Sequence, residues 1–281
     1  MPAWAWCSSG GEPARVDRRL LATTPNHTAY YPRAALDAMD VPEASAACGR
    51  VVDAVSGAVV AERAFIETIL LGVLARGHVL LEDVPGTGKT LTARSVATAL
   101  GLSFSRVQFT PDLLPTDVTG TRVFDERERE FEFRPGPVFA NVVLADEINR
   151  APPKTQSALL EAMEERQVTV DGETHELPDP FLVIATQNPI EHEGTFGLPE
   201  AQVDRFAVKT SIGYPDEAGE RELLRRRAGR ETRSPDVEAV LDADAVRELQ
   251  AVPETVRVDE DVLDYVVDLA RASRGDPRVA V

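Results

Sequence analysis

A glycine-rich stretch that ends in a lysine and a threonine is the part of this sequence that most directly predicts chemistry. The apolar run His78–Asp83 indicates a buried strand, and the glycines follow it at once. In a phosphate-binding loop, glycines let consecutive backbone N–H groups point at a β-phosphate, assisted by the N-terminus of the next helix. We therefore predict a nucleotide phosphate-binding loop made of Pro85, Gly86, Thr87, Gly88, Lys89, Thr90 and Leu91.

Two side chains of this loop have distinct predicted roles. Lys89 is expected to reach the β- and γ-phosphates, and Thr90 to supply a hydroxyl ligand to Mg²⁺. A helix over Leu91–Leu100 is expected to follow the loop. The general pattern G-x-x-x-x-G-K-[ST] has glycine where this chain has Asp83, so the start of the loop must be built differently. The alternative is a chance Gly-Lys-Thr turn.

Two adjacent acids end a second apolar run, Val142–Ala145. Phosphoryl transfer depends on positioning and charge compensation, which gives each acid a possible task. Asp146 is expected to orient Mg²⁺ and its water. Glu147 is expected to polarise the water that attacks the γ-phosphate. Without the phosphate-binding loop earlier in the chain, the pair could equally be a solvated strand end.

Two further polar residues are candidates for the same site. Asn188 follows the apolar run Phe181–Thr186 and could hold the attacking water or sense the γ-phosphate; otherwise it is a turn residue before proline. Arg205 ends a short predicted helix before the last strand. An arginine donated by a neighbouring subunit can neutralise charge in the transition state. Its alternative is a surface charge paired with Asp204.

Alternating strand and helix patterns predict an α/β fold with a mostly parallel sheet covered on both faces. Five apolar runs are the candidate strands: His78–Asp83, Phe104–Phe109, Val142–Ala145, Phe181–Thr186 and Phe206–Ile212. Two hairpins are also predicted, one over Arg122–Phe133 and one with Asp171-Gly172 as its turn. Two helices between Glu43 and Arg76, hinged near Ser56-Gly57, precede the sheet. Helices over 216–229, 242–251 and 259–273, with Asp216, Asp242 and Asp259 as N-caps, follow it.

These patterns predict three segments. Residues 1–40 have no periodicity and indicate a disordered tail, or a start site assigned upstream of a natural start at Met39. Residues 41–214 form the predicted α/β core, which contains the phosphate-binding loop and the paired acids. Residues 215–281 form a predicted small helical domain, which we expect to be incomplete because no cap closes it.

Composition limits the classes of partner. With 47 acidic and 30 basic side chains the net charge is −17, which disfavours direct nucleic-acid binding and anionic membranes in the absence of a basic patch. The longest apolar stretch, Phe65–Leu74, is too short to span a bilayer. Cys7 and Cys48 lack metal-ligand spacing, so we expect a cytoplasmic protein with neither disulfides nor zinc.

Over residues 41–281 the chain resembles the MoxR family of AAA+ ATPases, most specifically over Ala145–Gln156 and Leu159–Glu165. The resemblance implies a P-loop NTPase fold, a three-layer αβα sandwich whose five-stranded parallel sheet has the order 5-1-4-3-2, plus a small helical lid. It also implies an insertion in the second helix, a hairpin before the strand that leads to Asn188, and hydrolysis of Mg·ATP.

The resemblance further implies a ring, usually a hexamer, in which Arg205 acts on the ATP of a neighbouring subunit. Family members resemble chaperones that activate client proteins, often metalloenzymes or proteins with von Willebrand factor A domains. A sensor-2 arginine is expected in the lid in a Ser-Pro-Arg context, which does not occur before Val281. Two alternatives remain: a nucleotide-gated scaffold without useful hydrolysis, and a DNA motor or transcription regulator. The net charge argues against the second.

Overall fold

The computed structural model describes residues 39–84, 86–188, 195–228, 237–276 and residue 279. Its strands are β1 Val79–Glu82, β2 Phe104–Gln108, β3 Gly120–Asp125, β4 Glu130–Pro135, β5 Val142–Asp146, β6 Gln167–Val170, β7 Glu173–Glu176, β8 Leu182–Gln187 and β9 Val208–Thr210. Its α-helices are α1 Val41–Ala58, α2 Arg63–Leu74, α3 Lys89–Ala99, α4 Pro115–Thr119, α5 Pro153–Glu165, α6 Glu200–Val203, α7 Glu217–Ala228, α8 Ala243–Ala251 and α9 Glu260–Gly275.

Five of these strands form the central sheet, in the order β2-β5-β8-β1-β9. Every neighbouring pair in it is parallel. Counted along the sheet strands alone, this is the order 5-1-4-3-2 that the family resemblance implied, so the predicted fold class is confirmed. All five residues of β5 are buried, as expected for a strand covered on both faces.

Alternate residues of the sheet strands enter two separate cores, because successive side chains of a strand point to opposite faces. On one face Leu81, Leu144 and Ile184 pack with apolar residues of α1, α2 and α3. On the other face Leu80 and Val143 pack with residues of α5, including the fully buried Leu159 and Leu160. The sheet is therefore the middle layer of the predicted three-layer sandwich.

Both predicted hairpins are present as two-stranded antiparallel sheets, β3-β4 and β6-β7. Asp171 and Gly172 turn the second one, with φ of 52° and 85°. A type I′ turn needs positive φ at both central residues, which explains this pair. The first hairpin extends beyond the predicted range 122–133 at both ends. Asp125 stabilises its turn by accepting hydrogen bonds from the backbone N–H of Arg127 and Glu128, at 2.7 and 3.3 Å.

The helices before and after the sheet agree with their predicted positions. Asp40 and Glu43 form a capping box at the start of α1, and the break before α2 begins after Ala58, two residues later than predicted. Asp242 and Asp259 cap α8 and α9 as predicted. α8 packs onto the core through Val246, which is fully buried.

The predicted segments have different outcomes. The tail, residues 1–40, lies outside the described residues except for Met39 and Asp40. The described residues from Met39 onward belong to one compact unit, and the division between core and lid at residue 214 stays a prediction. Among the described residues, no helix has both the length and the apolar character needed to cross a bilayer.

Candidate nucleotide-binding site

A cleft of about 430 Å³ lies where the sheet strands end, and it collects most of the predicted site residues. Ligands of open α/β sheets bind in this position, outside the carboxyl ends of the strands. The residues that line the cleft come from the glycine-rich loop and from the ends of β2, β5 and β8: Gly86, Gly88, Lys89, Thr90, Leu91, Arg106, Gln108, Asp146, Glu147, Thr186 and Asn188. Pro85 lies outside the described residues, and the hydroxyl of Thr87 is directed back to the carbonyl of Val84, at 3.3 Å.

The loop needs glycine for a conformational reason. Gly86 and Gly88 both have a φ of 90°, a backbone angle that residues with a Cβ rarely adopt. Gly88 is the N-cap of α3, which begins at Lys89, two residues before the predicted start. The first N–H groups of a helix have no partners within it and carry its positive dipole end, so this position suits an anion. The ammonium of Lys89 lies over the same loop and donates to the carbonyls of Asp83 and Val84, at 2.9 Å each.

Asp83 accounts for the departure from the general loop pattern. Only 6% of its surface is exposed. One carboxylate oxygen of Asp83 accepts a hydrogen bond from the backbone N–H of the next residue, Val84, at 2.8 Å. The other accepts from the N–H groups of Ile212 and Gly213, at 2.9 and 3.0 Å. The carboxylate therefore fastens the start of the loop to the segment after β9, a link that a glycine could not make.

Asp146 is held firmly at the end of β5. Its Oδ1 accepts from the hydroxyl of Thr186, at 2.7 Å, and its Oδ2 accepts from Nη2 and Nε of Arg106, at 2.6 and 3.2 Å. Its side chain is only 12% exposed. A buried carboxylate needs such charged or polar partners, because desolvation without them is costly.

Glu147 has a different environment and a strained backbone. Its φ and ψ are 58° and 50°, in the left-handed region that non-glycine residues seldom occupy. The hydroxyl of Thr186 accepts a hydrogen bond from the Glu147 N–H, at 2.8 Å, and so supports this conformation. Its Oε2 accepts from Gln108 Nε2 at 2.7 Å and from Arg150 Nη1 at 2.9 Å. Strain of this kind is concentrated at functional sites.

The other two predicted catalytic residues have different positions. Asn188 is buried, directly follows β8 and lines the cleft. Arg205 follows α6 and lies outside the set of residues that line the cleft. Its Nη2 forms an ion pair with Glu164 of α5 at 2.8 Å. The alternative interpretation of Arg205 had paired it with Asp204 instead. The roles of both residues stay predictions.

Glu82 and Lys209 form an ion pair between β1 and β9, which are neighbours in the sheet. The Lys209 ammonium lies 2.9 Å from one carboxylate oxygen of Glu82, and Gln187 Nε2 donates to the other at 2.6 Å. The hydrogen bond from Lys209, supported by that from Gln187, holds the pKa of the Glu82 carboxyl below its usual value. The acid therefore stays ionised and links three adjacent strands.

Sequence reasoning missed four residues that contact the predicted acids: Arg106, Gln108, Arg150 and Thr186. A usable signal existed for the two on β2. Arg106 and Gln108 are two positions apart in a short strand, so they share one face. Thr186 also carried a signal, as a polar residue at the end of an otherwise apolar strand.

Comparison with known proteins places the chain among ATPases. The family model for ATPases associated with various cellular activities matches residues 78–208. YeaC of Bacillus subtilis is 49% identical over 233 residues, which are 82% of this chain and 72% of that protein. The chaperone MoxR1 of Mycobacterium tuberculosis is 48% identical over 80% of this chain and 59% of its own length. A crystal structure of a candidate ATPase from Cytophaga hutchinsonii matches with a TM-score of 0.74 and 42% identity, over 82% of this chain and 70% of that one.

Proposed function

Because the chain belongs to the MoxR family of AAA+ ATPases, we propose that it binds and hydrolyses Mg·ATP and uses the energy for chaperone-like remodelling of client proteins. The observation that carries the proposal is that one cleft contains Lys89, Asp146 and Glu147, which come from separate parts of the chain. We place the protein in the cytoplasm. Its clients, in this proposal, are metalloenzymes or proteins with von Willebrand factor A domains.

The residues of the cleft fit a nucleoside triphosphate and a magnesium ion. The glycine-rich loop at the N-terminus of α3 offers N–H groups to phosphate oxygens, and Lys89 adds a positive charge. Magnesium prefers oxygen ligands and retains several waters, which suits the hydroxyl of Thr90 and the carboxylate of Asp146. When bound, the ion neutralises charge on the β- and γ-phosphates.

Glu147 is the proposed general base. Its carboxylate orients the attacking water and accepts a proton at Oε1 or Oε2, while Asn188 holds the same water through its amide. The hydrogen bonds from Gln108 and Arg150 fix the direction of the Glu147 carboxylate. The guanidinium of Arg150 forms an ion pair with this carboxylate at 2.9 Å.

Arg205 is the proposed trans-acting arginine of a homo-oligomeric ring, usually a hexamer in this family. Its side chain is 38% exposed and lies outside the cleft of its own chain, as an arginine that serves a neighbouring subunit must. The ion pair with Glu164 then holds Arg205 in place in the isolated subunit.

Replacing Glu147 with glutamine tests the proposed activity. Glutamine keeps the size of the side chain and its bond to Arg150 or Gln108, but it cannot accept a proton. We expect Glu147→Gln to bind ATP with an affinity close to that of the wild type, and its turnover to fall by about 10²–10⁴, the usual contribution of a general base. Steady-state phosphate release and equilibrium binding of a fluorescent ATP analogue measure the two quantities.

The same experiment separates the proposal from its alternative. A wild-type protein that binds Mg·ATP without releasing phosphate, at any protein concentration, would favour a nucleotide-gated scaffold. A Glu147→Gln variant that turns over ATP at the wild-type rate would contradict the role of Glu147. An ATP-arrested Glu147→Gln protein is also the best bait for clients, because it holds the ring in one nucleotide state.

A further inference from the structure

Arg106 makes the closest charged contact to the acid that is proposed to hold magnesium. It lies on β2, the strand that pairs with β5, and it lines the cleft. Its Nη2 and Nε both donate to Oδ2 of Asp146, at 2.6 and 3.2 Å. The other oxygen, Oδ1, accepts from Thr186 at 2.7 Å. Both carboxylate oxygens of Asp146 thus have a partner within the protein.

This ion pair differs from an ordinary surface pair in its degree of burial. The Asp146 side chain is 12% exposed, whereas that of Arg106 is 45% exposed. A charged hydrogen bond to a nearly desolvated acid is stronger than one between two exposed groups. Arg106 is far less buried than the acid, since almost half of its side chain faces solvent.

Arg106 is also connected to the second acid. Its Nη2 donates to Oε1 of Gln108 at 2.8 Å, and Nε2 of the same amide donates to Glu147 at 2.7 Å. The amide of Gln108 can act in both directions because it offers an acceptor and a donor. One continuous set of hydrogen bonds therefore runs from Arg106 to both acids of the cleft.

A guanidinium and a divalent cation compete for one carboxylate. Magnesium or its bound water requires a lone pair of Asp146, and a positive charge already held there repels the ion. We propose that Arg106 is a positioning residue that competes with Mg²⁺ for Asp146 and so sets the magnesium concentration at which the protein retains ATP. This inference rests on the proposed function, and it assigns Arg106 an effect through Asp146 rather than a contact with the nucleotide.

The proposal gives Arg106 a specific thermodynamic signature. If Arg106 acts only through Asp146, its removal changes ATP binding when magnesium is present and leaves binding unchanged when magnesium is chelated. If Arg106 instead contacts a phosphate directly, its removal weakens ATP binding under both conditions. The dependence of affinity on free Mg²⁺ therefore separates the two roles without any measurement of turnover.

The test uses the full chain and the variants Arg106→Gln and Arg106→Lys. Binding of a fluorescent ATP analogue is measured by anisotropy over free Mg²⁺ from micromolar to millimolar, and again in excess EDTA. We expect Arg106→Gln to lower the half-saturating Mg²⁺ concentration about tenfold, equivalent to about 1.4 kcal/mol, with affinity in EDTA unchanged. Arg106→Lys retains the competing charge and should stay close to the wild type.

A matched control is Arg94→Gln, which removes one positive charge from an exposed position of α3, where the guanidinium lies over the ring of Phe104. It should leave the Mg²⁺ dependence unchanged, which separates the local contact from the change in net charge. Circular dichroism and urea unfolding establish that each variant folds.

Two results would overturn the inference while leaving the proposed function intact. One is a wild type that binds Mg·ATP and an Arg106→Gln variant with the same Mg²⁺ requirement. The other is a loss of affinity for ATP that is equal in EDTA and in magnesium. A wild type that binds no nucleotide under either condition would overturn the proposed function itself, and this inference with it.

Discussion

Replacing Asp83 with glycine restores the general pattern of a phosphate-binding loop, yet the structure predicts that it destabilises the protein. The carboxylate accepts three backbone hydrogen bonds, two of which come from the segment after β9, at Ile212 and Gly213. Glycine leaves those two N–H groups without their acceptor. It also makes the unfolded chain more flexible.

The magnitude follows from the burial of these groups. A donor that loses its partner costs about 1–3 kcal/mol when it is buried, and charged acceptors lie at the upper end of this range. Ile212 and Gly213 are only partly buried, so water replaces some of the lost bonding. We expect a total loss of about 3 kcal/mol, a large share of the 5–15 kcal/mol typical of folded proteins.

Urea unfolding followed by circular dichroism measures the loss. With an m-value of about 3 kcal/mol/M, a loss of this size moves the midpoint down by about 1 M. Asp83→Asn keeps one acceptor oxygen and should lose less than the glycine variant. Asp125→Gly is the matched control, since Asp125 also accepts two backbone bonds, but in an exposed turn. It should cost less than about 1 kcal/mol. An Asp83→Gly protein as stable as Asp125→Gly would refute the argument.

Three further perturbations test other parts of the molecule. Thr186 is 1% exposed, and Thr186→Val keeps the shape of the side chain but removes its hydrogen bonds to Asp146 and Glu147. The free energy of unfolding should therefore fall by about 2–3 kcal/mol. Thr186→Ser keeps the hydroxyl and should restore it. Burial lowers the pKa of His78 to about 4, so His78 is neutral in the folded state. Its contribution to the free energy of unfolding is intact above pH 6.5. As the pH falls from 6.5 towards 4, up to about 1.4 kcal/mol of this free energy is lost per pH unit, because only the unfolded chain binds the proton. Chemical unfolding at several pH values should show this slope, and His78→Gln should reduce it. Arg205→Ala should lower phosphate release by about 10³–10⁵. Mixing the Arg205→Ala protein with the Glu147→Gln protein should restore part of the activity. In a mixed ring, a Glu147→Gln subunit supplies an intact Arg205 to a neighbouring Arg205→Ala subunit, whose Glu147 is intact. A mixture that stays inactive would argue against action in trans.

The placement of the loop and of the acids at strand ends was predictable because each depends on contiguous residues, whereas the sheet order was implied by the family resemblance. An apolar strand followed by glycines, or by two acids, identifies its own position at the end of that strand. Parallel strands that alternate with helices then bring these ends to one edge of the sheet. For the same reason the type I′ turn at Asp171-Gly172 was readable from two residues alone.

The contacts around the acids were not predictable, because they depend on strand register. Gln108 and Asp146 are 38 residues apart in sequence, and they lie opposite each other only after β2 has paired with β5. The carboxylate of Asp83 likewise meets Gly213 across 130 residues. No local pattern specifies such pairs, since a shift of register by one residue would turn each side chain to the opposite face of the sheet.

Charge explains why the cleft depends on short-range contacts. The chain carries a net charge of −17, and the charged residues that line the cleft, Lys89, Arg106, Asp146 and Glu147, sum to zero. The long-range field therefore opposes the approach of a triphosphate. Attraction must come from the N–H groups of the glycine-rich loop, from Lys89 at contact distance and from a divalent cation carried with the nucleotide. We therefore expect the protein to prefer Mg·ATP over free ATP, because of the charge of the chain as well as the two acids.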